Sequence, residues 1–585
     1  MLKKMAPFVG KYWRQTILAP LTIIVEVLLE VRIPLLMADI VNIGVTNGDV
    51  AYIARTGLWM ILLSLLSLLF GALSARFSST AGAGFAMNLR EALFNKIQDF
   101  SFANVDRFST ASLVTRLTTD VNNTQQSFMM VTRMAVRAPV MLVCAVIMAV
   151  RINANLAVIF LLALPVLAAS MGLIMRFAYP RFEKMLKEYD GMNGAVQEDL
   201  IGIRVVKAFV REDHETQRFR KAAEKVRNAQ IKAEKIIIWN MPIMQFVMYA
   251  CMIAIAWFGG NRIIAGSMLT GDLMSFISYT TQILMSLMMF GMVFMMMVIS
   301  RASRQRIIEV LEEPIDIKEP EANALGQHGL THVADGSVDF HHVDFSYSKN
   351  PENLTLRDID LHIRSGETIG VIGGTGAAKT TLVQLIPRLY DVLDGSVTVG
   401  GKDVREYDLT ALRNAVAMVL QKNVLFSGTI RENLKWGNPD ATEEQIQAAC
   451  RAAAAHDFIM SFPKGYDTDL GQGGVNVSGG QKQRLCIARA LLKHPKIMIL
   501  DDSTSAVDTA TDASIRKALR ENLAGMTTII IAQRIASVMD ADRILVLNEG
   551  QVADIGTHEE LMGRNEIYRD VYTSQQKGAQ EDGTR

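Results

Sequence analysis

The sequence VNVSGGQKQRLCIARALL, residues 475–492, joins a serine–glycine–glycine turn to a run typical of an α-helix. Ser478, Gly479 and Gly480 stand where that helix would begin. A helix N-terminus presents free backbone N–H groups and the positive end of the helix dipole, and the Ser478 hydroxyl adds a further donor. The stretch therefore predicts a site for an anion.

A second glycine-rich turn, GGTGAAKTT, lies upstream, after the strand-like segment LHIRSGETIGVIG (361–373) and before a helical run. A strand, such a loop and a helix in this order form a phosphate-binding loop, in which Lys379 reaches the β/γ-phosphate oxygens and Thr380 binds Mg²⁺. Ala378 replaces the glycine usual before the lysine, and we expect its methyl group to be tolerated if φ stays negative. The residues predicted to bind nucleotide in this loop are Gly373, Gly374, Thr375, Gly376, Ala377, Ala378, Lys379, Thr380 and Thr381.

The sequence IMILDDSTSAVD, residues 497–508, reads as a buried strand that ends in two aspartates. A carboxylate in this place commonly holds Mg²⁺ beside a nucleotide phosphate, a role we assign to Asp501. The next carboxylate usually positions water for hydrolysis, and Asp502 stands there instead of the more usual glutamate. Because the domain already has one phosphate loop, the helix N-terminus at Ser478 makes sense if it completes a site on another copy.

Composition separates this nucleotide-binding half from an apolar half. Hydrophobic residues make up 50% of the 585 residues, yet charged residues still make up 20%. Six apolar windows come first, each close to the roughly 20 residues that cross a bilayer. The windows are 16–38, 57–75, 134–150, 155–176, 237–259 and 272–300. A net charge of +1 does not support nucleic-acid binding, and four scattered cysteines predict neither a disulfide framework nor a metal site.

The connections between the windows predict the orientation in the membrane. Two connections are long, and the second is rich in lysine and arginine, which places both in the cytoplasm. They read as helical extensions of the spans, with short breaks near 102–113 and 208–215. The basic segment 1–15 lacks the features of a signal peptide and reads as a cytoplasmic, interfacial lead into the first span.

Charged and methionine-rich positions in the spans are candidates for contacts with a transported compound. Glu26 and Glu30 lie one helical turn apart in the first span, near Arg32, where charges are costly and face a cavity or a partner. Alternatively, the two glutamates form a structural pair or accompany a kink at Pro34. The last span offers Met289, Met292 and Met296, whose flexible thioethers suit an apolar pocket, although ordinary helix packing is an equal alternative.

In order and spacing, these motifs resemble those of the ABC exporters, in the form of a half-transporter whose six-span membrane domain is fused to one ATP-binding cassette. The resemblance covers nearly the whole chain. It implies that Tyr347 stacks on adenine, that Gln421 contacts Mg²⁺ with Thr380 and Asp501, and that the breaks near 102–113 and 208–215 are coupling helices. The signature motif, which faces the ATP of the partner, falls on Ser478, Gly479, Gly480 and Gln481. The D-loop falls on SAVD, 505–508.

The expected fold is an all-α six-helix transmembrane domain with long cytoplasmic extensions, joined to an α/β P-loop cassette with a helical subdomain. Five segments follow from this division. They are an interfacial segment (1–15), the transmembrane domain (16–305), a linker (306–335), the ATP-binding cassette (336–573) and a polar tail (574–585). The chain is expected in the plasma membrane, with its N-terminus and cassette in the cytoplasm, in contact with lipid.

Two catalytic positions depart from the family pattern. The water-positioning glutamate falls on Asp502, and the switch histidine that holds the γ-phosphate falls on Gln533. Asp502 has a shorter side chain than glutamate, and Gln533 cannot carry positive charge. We therefore expect a heterodimer in which this chain binds ATP with Mg²⁺ but hydrolyses it poorly, while its signature completes the active site of a second half-transporter. The transported compound would be a small amphipathic or apolar molecule. The alternatives are a homodimeric exporter or lipid flippase that hydrolyses slowly through Asp502, or an ATP-gated channel or regulator.

Overall fold

The computed structural model describes residues 2–320, 329–502, 509–522 and 525–582. The chain divides into two compact units. The first comprises Met1–Gln98 and Thr110–Glu313, and the second comprises Asp99–Ser109 and Pro314–Arg585. The short segment Asp99–Ser109 therefore belongs with the nucleotide-binding part of the chain, although the sequence placed it inside the transmembrane domain.

The first unit is helical. The α-helices up to residue 312 are α1 Leu2–Met5, α2 Trp13–Glu30, α3 Ile33–Asp39, α4 Val50–Gln98, α5 Phe102–Phe108, α6 Thr110–Thr115, α7 Val121–Ile152, α8 Ala154–Ala208, α9 Glu212–Ile237, α10 Asn240–Ile264 and α11 Thr270–Glu312. All of them except α5 belong to the first unit. The 49 residues of α4 and the 55 residues of α8 confirm that membrane helices continue into long extensions. The predicted breaks also occur, because α5 lies between two longer helices and Val210 adopts a positive φ of 52° between α8 and α9.

Five helical segments among the described residues are long and apolar enough to span a membrane. Four of them contain the predicted windows from the second to the fifth, and the last overlaps the window 272–300. They are Val50–Gln98, Thr110–Ile152, Ala154–Ala208, Glu212–Ile264 and Thr270–Val293. The first window, 16–38, is helical but differs from the others, because α2 carries Arg14, Glu26 and Glu30.

A turn at Val31 and Arg32 separates α2 from α3. Pro34 explains this break, since its ring nitrogen cannot donate a hydrogen bond to the preceding turn. The buried Tyr279 hydroxyl donates to the Val31 carbonyl oxygen at 2.6 Å and so satisfies one backbone acceptor at the break. Val31 and Arg32 both keep right-handed helical φ and ψ across this break, and a kink at Pro34 stays a prediction.

Apolar side chains from several helices form the core of the first unit. Phe160 of α8 stacks on Phe276 of α11 with ring centroids 5.4 Å apart. Val27, Ala145 and Ile255 are fully buried in the same cluster. This core holds α2, α7 and α11 side by side, which positions the charged residues of α2 against α7.

The second unit contains two main sheets. Its strands are β1 Val338–Phe345, β2 Leu356–Ile363, β3 Thr368–Gly373, β4 Asp394–Val399, β5 Lys402–Asp403, β6 Val416–Val419, β7 Gly428–Thr429, β8 Asp469–Leu470, β9 Ile497–Asp501, β10 Thr527–Ile531, β11 Arg543–Asn548 and β12 Gln551–Gly556. A six-stranded sheet has the order β12-β11-β3-β10-β9-β6, and only β12 pairs antiparallel in it. A four-stranded antiparallel sheet has the order β2-β1-β4-β5. Every residue of β9 and β10 is buried, as parallel strands covered on both faces require.

The remaining helices cover the sheets and form a helical subdomain. They are α12 Lys379–Gln384, α13 Leu409–Ala415, α14 Ile430–Lys435, α15 Glu443–Ala452, α16 His456–Met460, α17 Gly479–Leu491, α18 Thr509–Asn522, α19 His558–Arg564 and α20 Glu566–Asp582. Ile430, Ile446 and Leu485 join α14, α15 and α17 in one buried cluster. The fold is the expected one of a helical membrane domain with an α/β cassette.

Two boundaries differ from the sequence-based division. Helix α11 continues to Glu312, beyond the predicted start of the linker at 306. Helix α20 continues to Asp582, so the segment predicted as a polar tail from 574 is largely helical. Helical periodicity weakens in both stretches because polar residues replace apolar ones, which is why composition alone marked them as linker and tail.

Candidate nucleotide-binding site

The phosphate loop connects β3 to α12 at the edge of the parallel sheet. β3 lies between β10 and β11, so the loop emerges at the carboxyl ends of adjacent strands, where ligands of such sheets bind. A Cβ atom on Gly373 would lie 2.3 Å from the Leu547 carbonyl oxygen, so only glycine fits there. Gly376 has φ +83° and supplies the turn that a side chain would oppose.

Ala378 has φ 66° and ψ 24°, in the left-handed region. The condition under which we expected the methyl group to be tolerated, a negative φ, is therefore not met. Closure of the loop onto α12 imposes the positive φ, and the alanine methyl group makes that conformation strained. The strain costs about 1–2 kcal/mol, which the surrounding structure must offset.

Lys379 folds back over the loop that precedes it. Its Nζ donates to the carbonyl oxygens of Gly373 at 2.8 Å and Gly374 at 2.9 Å. Burial lowers the pKa of Lys379, and the nearby charges of Asp502 and Asp501 oppose that shift. The ammonium group therefore lies at the loop with two carboxylates nearby, in the region where phosphates would bind.

Thr380 and Asp501 meet although 121 residues separate them. The Thr380 hydroxyl donates to Asp501 Oδ1 at 3.0 Å, and Asp501 is buried at the end of β9. Burial raises the pKa of Asp501, and the Thr380 hydrogen bond partly opposes this. The pair joins the phosphate loop to the predicted Mg²⁺ carboxylate.

The oxygen atoms of Thr380 and Asp501 fit a site for Mg²⁺, and the Gln421 amide lies beside the neighbouring Asp502. This ion prefers hard oxygen ligands, and proteins usually hold it through one or two carboxylates together with substrate phosphates. Bound there, Mg²⁺ would neutralise charge on the phosphate oxygens. Within the described ranges, no group of three or more His, Cys, Asp or Glu side chains forms a separate metal cluster.

Asp502 is surrounded by side-chain amides. Gln533 Nε2 donates to Asp502 Oδ2 at 2.7 Å, and Gln421 Nε2 approaches the same oxygen at 3.4 Å. Asp502 has φ 47°, and its backbone N–H donates to the Ile531 carbonyl oxygen at 3.0 Å. Burial raises the pKa of Asp502, while the hydrogen bonds from Gln421 and Gln533 oppose the shift. The two positions that depart from the family pattern are therefore in direct contact.

Two further glutamines were missed in the sequence. The buried Gln483 of α17 approaches the Asp502 carbonyl oxygen at 3.4 Å through Nε2. Gln575 of α20 donates to the Gln533 carbonyl oxygen at 2.8 Å and accepts from the Ile535 N–H at 2.9 Å. Gln483 follows the signature closely, a position that could have suggested it, but no local signal marks Gln575.

Tyr347 is half exposed and lies beside the phosphate-loop helix. Its hydroxyl is 3.0 Å from Thr381 Oγ1 and donates to Gln384 Oε1 at 3.3 Å. Its ring packs edge-on against Tyr390 at 5.2 Å, and the Tyr390 hydroxyl donates to Asp106 of the segment Asp99–Ser109 at 2.7 Å. Tyr390 therefore links the ring predicted to stack on adenine to the predicted coupling helix α5.

The signature residues begin α17 as an exposed, capped helix N-terminus. The Ser478 side chain accepts from the Gln481 N–H at 3.3 Å, and the Gln481 side chain accepts from the Ser478 N–H at 2.9 Å. Gly479 and Gly480 occupy the first turn without side chains. No hydrogen bond joins these residues to the phosphate loop in the parts of the chain that the structure describes. The D-loop, 505–508, lies outside the described residues.

The membrane residues proposed to contact a transported compound fall into different environments. Glu26 and Glu30 both pair with Arg137 of α7, the second at 2.7 Å, and not with Arg32. Met289 lines a cavity with Glu30 and Arg137. Met292 is exposed, and Met296 does not line that cavity. An arginine inside an apolar window requires an acidic partner, so Arg137 could have been found from the sequence.

Comparisons with known proteins agree with this geometry. The family described as ABC transporter transmembrane region matches residues 16–288, and the family described as ABC transporter matches 356–505. The ABC transporter ATP-binding protein YfiB of Bacillus subtilis is 36% identical over 574 residues, covering 98% of both chains. An ATP-dependent lipid A-core flippase of Syntrophus aciditrophicus is 33% identical and covers 85% of this chain and 82% of its own. A bacterial Atm1-family ABC exporter with ATP bound superposes with a TM-score of 0.82 at 26% identity, over 97% of this chain and 99% of that one.

The fold and the site define a membrane-spanning protein with a cytoplasmic domain of the ATP-hydrolysing cassette class. The chain belongs to the ABC transporter family and is an exporter-type half-transporter, with a transmembrane region fused to one ATP-binding domain. Proteins of this family bind ATP with Mg²⁺, act as dimers and couple ATP hydrolysis to translocation.

Proposed function

We propose that this chain is the degenerate-site subunit of a heterodimeric, ATP-driven exporter of amphipathic or apolar compounds. Its phosphate loop together with Asp501 and Asp502, which we call the Walker side, binds ATP and hydrolyses it poorly. Its signature completes the hydrolytic site of a different half-transporter. The hydrogen bond of 2.7 Å between Gln533 and Asp502 carries this proposal. It unites in one contact the two positions where this chain departs from the family pattern.

The carboxylate of Asp502 is withdrawn from that position relative to glutamate. Removing one methylene moves the carboxylate back by about one C–C bond, and a misplacement of this size costs about 10²-fold in rate. In addition, Gln533 and Gln421 donate toward Asp502 Oδ2. The oxygen that would accept a proton from water is therefore already hydrogen-bonded.

Gln533 replaces a cationic group with a neutral one. An amide donates hydrogen bonds but carries no charge, so the γ-phosphate loses electrostatic stabilisation as charge develops on it. The same amide nitrogen donates to Asp502, which leaves it a single further hydrogen for a phosphate oxygen. Removing one such stabilising group commonly costs about 10²–10³-fold in rate.

The signature side of the same domain keeps its anion-binding features. Ser478, Gly479 and Gly480 form an exposed, capped N-terminus whose backbone N–H groups point out of the helix. A domain whose own catalytic positions are altered, but whose signature is complete, can still complete the ATP site of a partner. The partner is expected to carry the glutamate and the histidine that this chain lacks.

In the proposed cycle, two ATP molecules close the two cassettes, and the segments at 102–113 and 208–215 pass the movement to the membrane helices. Hydrolysis in the partner's site then resets the transporter. The residues of this chain would hold ATP in place through the cycle, with Lys379 and the loop N–H groups on the phosphates and Tyr347 on adenine.

ATP turnover, measured on the chain purified alone and together with its partner, tests whether the chain works as a homodimer or as a heterodimer. We expect ATP turnover by the chain alone to be at least about 10²-fold below that of the pair, from the misplacement argument above. Robust ATP turnover by a homodimer of this chain would contradict the proposal.

A homodimeric exporter or lipid flippase that hydrolyses slowly is the second candidate. One relative is named a lipid A-core flippase, and Asp502 is still a carboxylate whose pKa burial raises, which favours a proton-accepting role. Asp502→Asn separates the two candidates, because it abolishes turnover in the homodimer and leaves that of the heterodimer largely unchanged. Passive ion conductance at saturating ATP, without uphill transport, would instead indicate an ATP-gated channel.

A further inference from the structure

We propose that the cavity between α2, α7 and α11 binds amphipathic organic cations that carry N–H groups. This inference rests on the proposed exporter function and names the substrate class that the exporter would take. It follows from three properties of the cavity, which are its charge, its hydrogen-bonding groups and its apolar walls.

The cavity has a volume of about 390 Å³ and belongs wholly to the first unit. This volume lies within the range of about 300–1,000 Å³ found for small-molecule sites. Its polar lining residues are Glu30, Arg137, Ser278, Thr281, Gln282 and Ser286.

The charges around the cavity do not balance. The Arg137 guanidinium bridges two carboxylates, contacting Glu26 and lying 2.7 Å from Glu30. When both carboxylates are ionised, one shared guanidinium leaves a net charge of −1. No other cationic side chain lines the cavity within the described part of the chain, and Arg32 faces outward. An uncompensated charge in an apolar region is costly, so a bound cation at Glu30 would stabilise the site.

The hydrogen-bonding groups of the cavity are mainly acceptors. Among the described residues, the buried Gln282 Oε1 has no hydrogen-bond partner. The hydroxyl groups of Ser278, Thr281 and Ser286 donate to carbonyl oxygens of their own helix at 3.1, 3.2 and 2.7 Å. Their remaining capacity is therefore to accept, and a ligand with N–H groups would satisfy these oxygens together with Gln282.

The apolar walls come mainly from methionines. Met141, Met285 and Met289 line the cavity beside Ala138. Flexible thioethers adjust to apolar bodies of different shape and make favourable contacts with aromatic rings. The cavity thus combines an adaptable apolar wall with one anionic, acceptor-rich end, which matches an amphipathic cation.

Equilibrium binding of ethidium to the full chain in lipid nanodiscs tests this inference. Ethidium is a permanently charged polycycle with two aromatic amines, and uncharged phenanthridine is its comparison. We expect Glu30→Gln to weaken ethidium binding about tenfold, equivalent to about 1.4 kcal/mol, and to leave phenanthridine binding unchanged. Glu183→Gln is the matched control, since Glu183 is an exposed residue of α8 whose substitution alters the total charge equally.

A second variant keeps the charge and removes the acceptor. Gln282→Leu should weaken ethidium binding about threefold and leave binding of tetraphenylphosphonium, a cation without N–H groups, unchanged. Wild-type affinity for ethidium in both Glu30→Gln and Gln282→Leu would overturn the inference, as would equal losses in Glu183→Gln. The assay contains no ATP, so selective binding without ATP-driven transport would reject the proposed exporter function and leave the cation site standing.

Discussion

Ala378 is the residue of the phosphate loop whose backbone conformation suits its side chain least. Its φ of 66° lies in the region that glycine adopts freely and alanine adopts at a cost. The neighbouring Ala377 has no positive φ and is buried in the core of the cassette. The two adjacent alanines therefore respond differently to replacement by glycine.

We expect Ala378→Gly to stabilise the ATP-binding unit. Glycine relieves about 1–2 kcal/mol of left-handed strain in the folded state. This gain exceeds the loss of about 0.4–1 kcal/mol in stability that arises because glycine has more conformational freedom in the unfolded chain. The measurement is the temperature at which the full chain loses binding of a fluorescent ATP analogue, which should rise. Ala377→Gly, the control, should lower that temperature, because it removes a buried methyl group and adds unfolded-state freedom. A lower temperature for Ala378→Gly would contradict the strain argument.

At the residue scale, spacing within motifs predicted the order of strand, loop and helix but not the backbone conformations of the loop residues. The loop lies between a strand and a helix, as predicted, and α12 begins at Lys379. The sign of φ at Ala378 was not predictable, because loop closure onto α12 sets it and the preference of the residue itself points the other way. The contact of Asp502 with Gln533 likewise depends on the pairing of β9 with β10, which no local pattern specifies.

At the scale of elements, α20 extends the switch region of the nucleotide site. The side-chain amide of Gln575 donates through its nitrogen to the Gln533 carbonyl oxygen and accepts through its oxygen from the Ile535 N–H. This helix therefore fixes the backbone on either side of Arg534. The adjacent Gln576 bonds within α20, where Nε2 donates to the Tyr572 hydroxyl at 2.9 Å.

We expect Gln575→Ala to loosen the backbone that follows β10. Loss of a hydrogen bond worth about 1 kcal/mol should speed hydrogen exchange at the Ile535 amide about fivefold. Exchange measured by mass spectrometry on the full chain checks this, with Gln576→Ala as the matched control that should leave the peptide unchanged. Equal exchange in wild type and Gln575→Ala would show that α20 does not position the switch.

Sequence patterns at this scale predicted which segments are helices but not which faces meet. The apolar windows located α4, α7, α8, α10 and α11 because bilayer thickness dictates their length. Pairing of Arg137 with Glu26 and Glu30 depends on the rotation of α7 against α2, which core residues such as Val27 and Ala145 determine. Periodicity is weak in helices that are apolar on all sides, so that rotation could not be read from the sequence.

At the scale of the whole molecule, the proposed function requires that the phosphate-loop side of the cassette and its signature side differ in their catalytic competence. Lys379 lies at the phosphate loop and Thr380 donates to Asp501, while Asp502 and Gln533, the two positions that depart from the family pattern, contact each other. The signature side is a complete capped helix N-terminus. This asymmetry within one chain is the basis for expecting an unlike partner.

Restoring both catalytic groups is the direct way to ask whether the asymmetry determines where ATP is hydrolysed. Asp502→Glu with Gln533→His should return a carboxylate to the attacking water and a cationic group to the γ-phosphate. Each single variant should recover less than the double variant, because the two groups act on the same step.

Vanadate trapping of a photoreactive ATP analogue in the assembled transporter tests the central claim, since it labels the chain whose Walker side has hydrolysed nucleotide. We predict trapped ADP on the partner and almost none on the wild-type chain, and at least about tenfold more on this chain in the double variant. Equal labelling of the wild-type chain and its partner, or labelling of this chain that the double variant leaves unchanged, would contradict the assignment of a degenerate site.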